Sequence, residues 1–226
     1  MAGKEKESIM KILVVEDKEK NIEAAKNQLA SHDVTIITGY DQAHKMIKAK
    51  LDLDELGTIL NNELPSGWKT VDEKKVFMDG NGIWDLVSPE GKKTSYWDAP
   101  KDVERIYKVS AKKATHPPFD VVLTDVMFSK GGDECMSAEG KELAKRQGEM
   151  PYGPIVALRA IQAGVKMVGI ITQGSHHDDP FIFAFDGLYG FKNGDTKVVC
   201  TNGMQTETGV KNWAKLLEKL MSEENE

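Results

Sequence analysis

An apolar run that ends in an acid is the feature that most constrains how this chain folds. The segment from Phe119 to Phe128 follows two prolines, is rich in β-branched residues, and carries Asp125 near its end. Such a run is typical of a buried parallel strand, because both faces of a parallel sheet are covered. Open sheets of this kind bind ligands at the carboxyl ends of their strands, where Asp125 is predicted to lie. A lone acid at this position can also simply cap the turn that follows the strand.

A second apolar run with the same ending lies near the start of the chain. Residues 11 to 17 read Lys-Ile-Leu-Val-Val-Glu-Asp, so that Glu16 and Asp17 follow the apolar residues directly. Helical spacing over residues 18–31, a β-branched strand over residues 33–39 and a helix opening at Asp41 come next. This alternation of strand and helix predicts an α/β fold with a parallel sheet covered on both faces.

The two acidic strand ends are predicted to meet. In a right-handed doubly wound sheet, both strands point their carboxyl ends into one crevice, which brings Glu16, Asp17 and Asp125 together. Three carboxylates repel one another unless protons or a hard cation balance them. Mg²⁺ accepts a few carboxylate oxygens together with waters and a phosphate oxygen. The residues therefore predict a Mg²⁺ site that brings a phosphoryl group to Asp125.

Composition limits the remaining possibilities. With 226 residues, 40% of them hydrophobic, the chain can bury a core as one large domain or as a domain with an insert. The net charge of -6, with lysine and arginine scattered along the chain, argues against nucleic acid as a partner. Cys135 and Cys200 lack metal-ligand spacing, and no segment has the length or apolarity of a leader or membrane span. We expect a cytoplasmic protein without membrane contact.

Three segments together resemble the receiver domain of response regulators. They are residues 11–17, residues 119–127 and Gly-Ile-Ile-Thr at 169–172, which correspond to the first, third and fourth strands of that domain. The resemblance implies a flavodoxin-like (CheY-like), doubly wound sheet of five parallel strands. The fifth strand is then expected at residues 196–202.

The resemblance also implies roles for individual residues. Asp125 is expected to accept a phosphoryl group from a histidine kinase or a small phosphodonor, and Thr172 to supply a hydroxyl that moves to the phosphate. Glu16, Asp17, Asp125 and the Met127 carbonyl are expected to bind Mg²⁺. A carboxylate nucleophile forms an acyl phosphate in such chemistry, with Mg²⁺ stabilising the phosphoryl oxygens. The protein is then a regulatory phosphoacceptor rather than an enzyme.

One departure from the receiver pattern leaves another function open. In that family a lysine ends the fifth strand and pairs with the phosphate, whereas here the strand ends in Thr201-Asn202. Lys197 lies at the start of the strand, and Lys192 or Lys130 substitutes only if a loop folds over the crevice. A degenerate pseudo-receiver that binds partners without phosphorylation is therefore the alternative.

A histidine-containing turn suggests a third function. His176, His177, Asp178 and Asp179 follow the fourth strand, where they can supply transition-metal ligands beside Asp17 and Asp125. A metal-dependent hydrolase is the function that this set predicts. The turn can equally be solvent-facing, with its aspartates capping a short helix that starts at Pro180.

Two insertions separate this chain from a minimal receiver. Residues 49–117 are predicted to form a helix and a three-stranded antiparallel sheet, inserted into a receiver-like domain made of residues 1–48 and 118–226. Trp68 and Trp97 with their neighbours weakly resemble the two ends of a WW domain, and the insert is the expected surface for a protein partner.

The second insertion follows Asp125. It contains a Gly131-Gly132 pair and a possible surface helix over residues 137–146. Its cationic side chains can reach a phosphate in the crevice; they are Lys130, Lys141, Lys145 and Arg146. Helices are also expected over residues 154–163 and 210–221, and any output is expected through protein contacts.

Overall fold

A computed structural model of the chain describes residues 8–76, 82–129, 137–139, 142, 148–173 and 190–222. The chain divides into two compact units, one of residues 1–48 and 117–226 and the other of residues 49–116. The strands are β1 Lys11–Val15, β2 Asp33–Ile37, β3 Lys50–Leu51, β4 Lys69–Val76, β5 Gly82–Val87, β6 Lys93–Thr94, β7 Thr115–His116, β8 Val121–Asp125, β9 Met167–Thr172, β10 Gly190–Asn193 and β11 Thr196–Asn202. The helices are α1 Glu19–Gln28, α2 Tyr40–Met46, α3 Leu53–Glu63, α4 Lys101–Lys113, α5 Gly153–Gln162 and α6 Trp213–Met221.

The first unit is built on a mostly parallel six-stranded sheet, so the predicted α/β class is confirmed. Its strand order is β10-β11-β9-β8-β1-β2, and all pairs are parallel except the hairpin of β10 and β11. The prediction of five strands was wrong because it omitted β10. A two-residue Gly194-Asp195 turn, with Gly194 at φ 59°, joins the two hairpin strands, and glycine followed by aspartate is a hairpin signal.

The central strands of this sheet are buried on both faces, as their continuous apolar runs predict. Alternate residues of β1 belong to different core clusters. Leu13 and Val15 pack in the cluster that includes residues of α2 and α5, whereas Ile12 and Val14 pack in the cluster that includes α1 and α6. Helices therefore cover both faces of the sheet, which leaves the strand ends as the places where polar side chains converge.

The last helix begins later than its sequence pattern predicts. It starts at Trp213 rather than at Val210, with the Asn212 side chain accepting a hydrogen bond from the Lys215 N–H at 3.0 Å. This is an N-terminal cap of the ordinary kind. Residues 203–212 thus form a connection between β11 and α6, and Lys211 lies in that connection rather than in the helix.

The second unit packs α3 and α4 with a three-stranded antiparallel sheet of order β4-β5-β6. Strands β3 and β7 form a separate antiparallel pair. The third strand of the predicted meander is shorter than expected, because a 3₁₀ turn over Tyr96–Asp98 replaces its end. The sequence Asp79-Gly80-Asn81-Gly82 predicts a turn between the first two strands of this meander, and residues 79–81 lie outside the described residues.

Aromatic side chains form much of the core of the second unit. The Trp84 indole N–H donates to the Leu53 carbonyl at 2.7 Å, and Tyr96 stacks on Tyr107 with 4.3 Å between ring centroids. Trp68 also packs against this core, while Trp97 is 53% exposed. The WW-like resemblance and the partner surface stay predictions.

Among the residues that the structure describes, no helix has both the length and the apolarity needed to cross a membrane.

Gly153 marks the closest approach between a helix and the end of a strand. Its N–H donates to the Val126 carbonyl at 3.0 Å, and a Cβ at this position would lie 1.9 Å from the Asp125 carbonyl oxygen. The first turn of α5 can therefore pack against the end of β8 only if residue 153 has no side chain.

We expect Gly153→Ala to lower the free energy of unfolding by about 2 to 3 kcal/mol, because backbone atoms must shift to admit the methyl group. Gly169→Ala is the matched control. The atoms nearest to its Cβ would belong to the side chains of Leu123 and Leu216, which can rotate, so a loss of about 1 kcal/mol is expected. Urea unfolding measures both changes in the free energy of unfolding. An equal loss of stability in the two variants would contradict the close approach of Gly153 to the end of β8.

Candidate functional site

Three carboxyl groups meet at the carboxyl edge of the sheet. β1 and β8 are parallel neighbours with Val15 opposite Thr124, so the residues that follow each position lie side by side. Glu16, Asp17 and Asp125 each offer an oxygen within 4.8 Å of the others. Glu16 and Asp125 are 0% and 2% exposed, while Asp17 is partly exposed. The structure thus brings together the acids that the sequence placed at two strand ends.

A buried lysine bridges two of these acids. The Nζ atom of Lys211 lies 2.5 Å from Glu16 Oε2 and 2.5 Å from Asp125 Oδ2, and the whole residue is 0% exposed. Lysine is almost never fully buried unless its charge is paired. A single ammonium group therefore forms ion pairs with two buried carboxyl groups.

The fifth strand of the receiver pattern, β11, ends at Thr201-Asn202 without a lysine, as predicted, but a lysine from another segment lies in the crevice. This lysine is Lys211, which enters the crevice from the connection before α6 and not from the end of β11. Lys197 instead donates to the carbonyls of Lys219, at 3.1 Å, and Ser222. Lys192 is exposed on β10, and Lys130 lies outside the described residues. Residues 203–212 show no apolar periodicity, so the sequence pattern does not indicate that the single lysine of this segment, Lys211, is buried.

Asn21 holds the lysine and one of its acids in place. This fully buried side chain donates through Nδ2 to Glu16 Oε2 and to Gln173 Oε1, each at 3.3 Å. Its Oδ1 accepts from the Lys211 N–H at 3.2 Å, and its backbone carbonyl accepts from the Trp213 indole N–H at 3.1 Å. The sequence analysis missed Asn21, although a polar residue beside Ile22 on the buried face of α1 was the available signal.

Asp17 has a different environment. Its Oδ2 accepts from the Ser129 N–H at 2.7 Å and from the Ser129 hydroxyl at 2.5 Å. Its Oδ1 is buried and has no hydrogen-bond partner among the described residues. An unpaired buried carboxylate oxygen is costly, and a bound cation removes that cost.

The buried part of the cluster contains two carboxyl groups and one ammonium group, and the pKa values of the acids reflect this. Burial raises the pKa of Glu16, and Asp125 raises it further, while the Lys211 ammonium acts in the opposite direction. Burial likewise raises the pKa of Asp125, against the lowering effects of Lys211 and of the Val126 N–H. Both carboxyl groups keep a pKa above the ordinary value, because the effect of burial is larger than the opposing effect of the one ammonium group beside them.

The donor set suits a hard cation. All the ligand atoms in the cluster are carboxylate oxygens, which Mg²⁺ and Ca²⁺ accept, and the described histidines are not part of it. Together with the unpartnered Asp17 oxygen, this composition fits a divalent metal site. The identity of the ion as Mg²⁺ stays a prediction.

Other predicted site residues lie near this edge or beyond the described part of the chain. Thr172 is 3% exposed and ends β9, one residue past Ile171, which pairs with Asp125. Met127 follows Asp125 by two positions, and its side chain packs against the core. The roles assigned to Thr172 and to the Met127 carbonyl stay predictions. The predicted residues outside the described ranges are His176, His177, Asp178, Asp179, Lys141, Lys145 and Arg146.

An ion pair lies at the rim of the cluster. Lys18 Nζ is 3.3 Å from Glu149 Oε1, which links the exit of β1 to the segment before α5. Partial burial lowers the pKa of Lys18, but attraction to Glu149 and Asp125 raises it above its ordinary value. Lys18 is therefore a second positive charge that acts on Asp125.

Comparison of the chain with protein-family models, with curated proteins and with solved structures found no match. Its function has to be argued from the geometry and charges of the site.

The raised pKa values predict how stability depends on pH in metal-free protein. An acid whose folded-state pKa is raised contributes stability below its unfolded value, and this contribution is lost as the pH rises through the folded pKa. For Glu16 the loss begins above the ordinary value of 4.5. We therefore expect the wild type to lose stability relative to Glu16→Gln as the pH rises from about 4 to about 8.

Urea unfolding in the presence of a chelator measures this difference. Glu19→Gln, which removes an exposed acid from α1, is the control and should leave the pH dependence unchanged. A difference between wild type and Glu16→Gln that stays constant, or that shifts in favour of the wild type as the pH rises, would contradict the charge balance described above.

Proposed function

We propose that the protein is a receiver-like signalling module that accepts a phosphoryl group on Asp125 in a Mg²⁺-binding pocket. The observation that carries this proposal is the cluster itself, in which Asp125 contacts a buried ammonium group and lies beside two further carboxyl groups. The five parallel strands run β2-β1-β8-β9-β11. This order supports a flavodoxin-like arrangement, in which ligands bind outside the carboxyl ends of the central strands.

The chemistry that suits Asp125 is nucleophilic attack on phosphorus. A carboxylate oxygen forms a new bond to phosphorus as the bond from phosphorus to the donor's leaving group breaks, and the leaving group departs with that electron pair. The attacking group must be ionised, and burial opposes this by raising the pKa of Asp125. Lys211 counteracts the effect of burial, and the Val126 N–H fixes the carboxyl group by donating to Oδ1 at 2.7 Å.

The residues that would hold the metal ion are Glu16, Asp17 and Asp125. When bound, a divalent ion there would neutralise the phosphoryl oxygens during transfer. Lys211 already provides one positive charge beside Asp125, and Lys18 provides another at the rim. Positive charges placed before the reaction are worth more in a buried site than in water, since little reorganisation is needed.

The buried lysine also bears on the alternative functions. The pseudo-receiver hypothesis depended on the absence of a lysine from the end of the fifth strand, and Lys211 supplies an ammonium group beside Asp125 from another segment. The hydrolase hypothesis depends on residues 176–179, which lie outside the described ranges. Phosphoryl acceptance from a histidine kinase or a small phosphodonor, with output through protein contacts of the second unit, is the function that the described residues favour.

Incubation with a small acyl phosphate and Mg²⁺ tests the proposal. Intact-mass measurement should find one added phosphoryl group on the wild type and none on Asp125→Asn. Asp120→Asn is the matched control, because Asp120 precedes the opposite end of β8, where its Oδ2 accepts from the Lys11 N–H. The control should be labelled as fully as the wild type. Equal labelling of Asp125→Asn, or no labelling of the wild type, would contradict the proposal.

A further inference from the structure

We propose that Lys211 and a divalent metal ion compete for Glu16, and that displacement of Lys211 is transmitted to the start of α6 through Asn21 and Gln28. This inference rests on the cation-binding part of the proposed function. It adds a regulatory property, since the same pocket that binds the ion would then control the connection between β11 and α6.

Competition follows from how the oxygens of Glu16 are occupied. Oε1 accepts from the Lys18 N–H at 2.9 Å, and Oε2 accepts from both Lys211 Nζ and Asn21 Nδ2. An ion that takes Glu16 as a ligand must come close to the Lys211 ammonium. Two cations repel strongly where water is excluded, so the ion and the ammonium cannot both occupy this position. The unpartnered Asp17 Oδ1 offers the ion a first ligand without any displacement.

The backbone of Lys211 is tied to α1 at both of its polar groups. Its N–H donates to Asn21 Oδ1 at 3.2 Å, and its carbonyl accepts from Gln28 Nε2 at 3.1 Å. Asn21 also donates to the same Glu16 oxygen that the Lys211 ammonium contacts. An ion that binds Glu16 Oε2 would therefore act on the side chain of Lys211 directly. It would also act on the Asn21 side chain, which holds the Lys211 N–H.

The same two residues also hold the beginning of α6. The side-chain oxygen Oε1 of Gln28 accepts from the Ala214 N–H at 3.2 Å, and the backbone carbonyl of Asn21 accepts from the Trp213 indole N–H. Movement of Lys211 therefore disturbs the anchoring of the first turn of α6. Gln28 and Ala214 also line a cavity of about 450 Å³ between α1 and α6, so this face of the first unit would change with the state of the pocket.

Trp213 provides a built-in reporter of Lys211. The indole is fully buried, and the Lys211 Nζ atom lies 5.6 Å from the ring centroid. A positive charge at this distance interacts with the ring, so its displacement should change the emission of the indole. The other tryptophans, Trp68, Trp84 and Trp97, belong to the second unit. Trp213→Phe therefore identifies the part of the signal that comes from this site.

Calorimetric titration of metal-free protein with Mg²⁺ tests the competition. Lys211→Met should bind Mg²⁺ at least about tenfold more tightly than the wild type, because the competing charge is gone. Lys215→Met removes an exposed lysine from the same part of the chain and should bind as the wild type does. Unchanged or weaker binding by Lys211→Met would overturn the proposal, as would an absence of binding in both proteins.

Fluorescence of the wild type tests the transmission and does not depend on whether Lys211→Met folds. Saturating Mg²⁺ should shift the tryptophan emission, and Trp213→Phe should lose that shift. Gln28→Leu should keep Mg²⁺ binding but show a smaller shift, because it removes the hydrogen bonds of Gln28 to the Lys211 carbonyl and the Ala214 N–H and leaves the carboxyl cluster intact. Calorimetric binding without any Trp213-dependent shift would overturn the inference while leaving the proposed function intact. Failure of phosphoryl labelling at Asp125, with the shift present, would overturn the proposed function alone.

Discussion

The first unit depends on one buried interaction, the ammonium group of Lys211 held between Glu16 and Asp125. Burying charges is expensive, and a buried ion pair stabilises a protein only when geometry and hydrogen bonds compensate for the lost water. Here the compensation is incomplete, because two carboxyl groups share one ammonium and both keep a raised pKa. The cluster therefore favours the uptake of protons or of another cation. A structure that retains such an imbalance is well suited to binding a charged ligand.

This interaction unites parts of the chain that are far apart in sequence. β1 and β8 deliver the two acids because they are parallel neighbours, and the connection before α6 delivers the lysine. Asn21 and Gln28 fix that connection against α1, while Gly153 lets α5 pack closely on the end of β8. The site is thus built from strand ends and helix beginnings, where backbone polar groups are available to orient side chains.

The sequence predicted the features that follow from local periodicity, and it missed those that follow from long-range pairing. The continuous apolar runs predicted β1 and β8, and parallel pairing then brought their acids to one edge. Lys211 could not be found in this way, because hydropathy places a lysine outside and its segment has no periodic pattern. Asn21 lies on the buried face of α1, but the partners that make it part of the site lie far along the chain, so its role was not predicted. β10 was missed although the Gly194-Asp195 turn that follows it is a hairpin signal, because the prediction followed the five-stranded receiver pattern.

Lys211 is buried and paired with Glu16 and Asp125. Chemical labelling of lysines is the most direct test of this burial. Brief reductive methylation of the native protein, followed by peptide mass spectrometry, compares the reactivity of each ammonium group. In the native protein, Lys211 should react at least about a hundredfold more slowly than the exposed Lys215. In urea, where the chain is unfolded, the two lysines should react at the same rate. Equal reaction rates for the two lysines in the native protein would contradict the burial of Lys211.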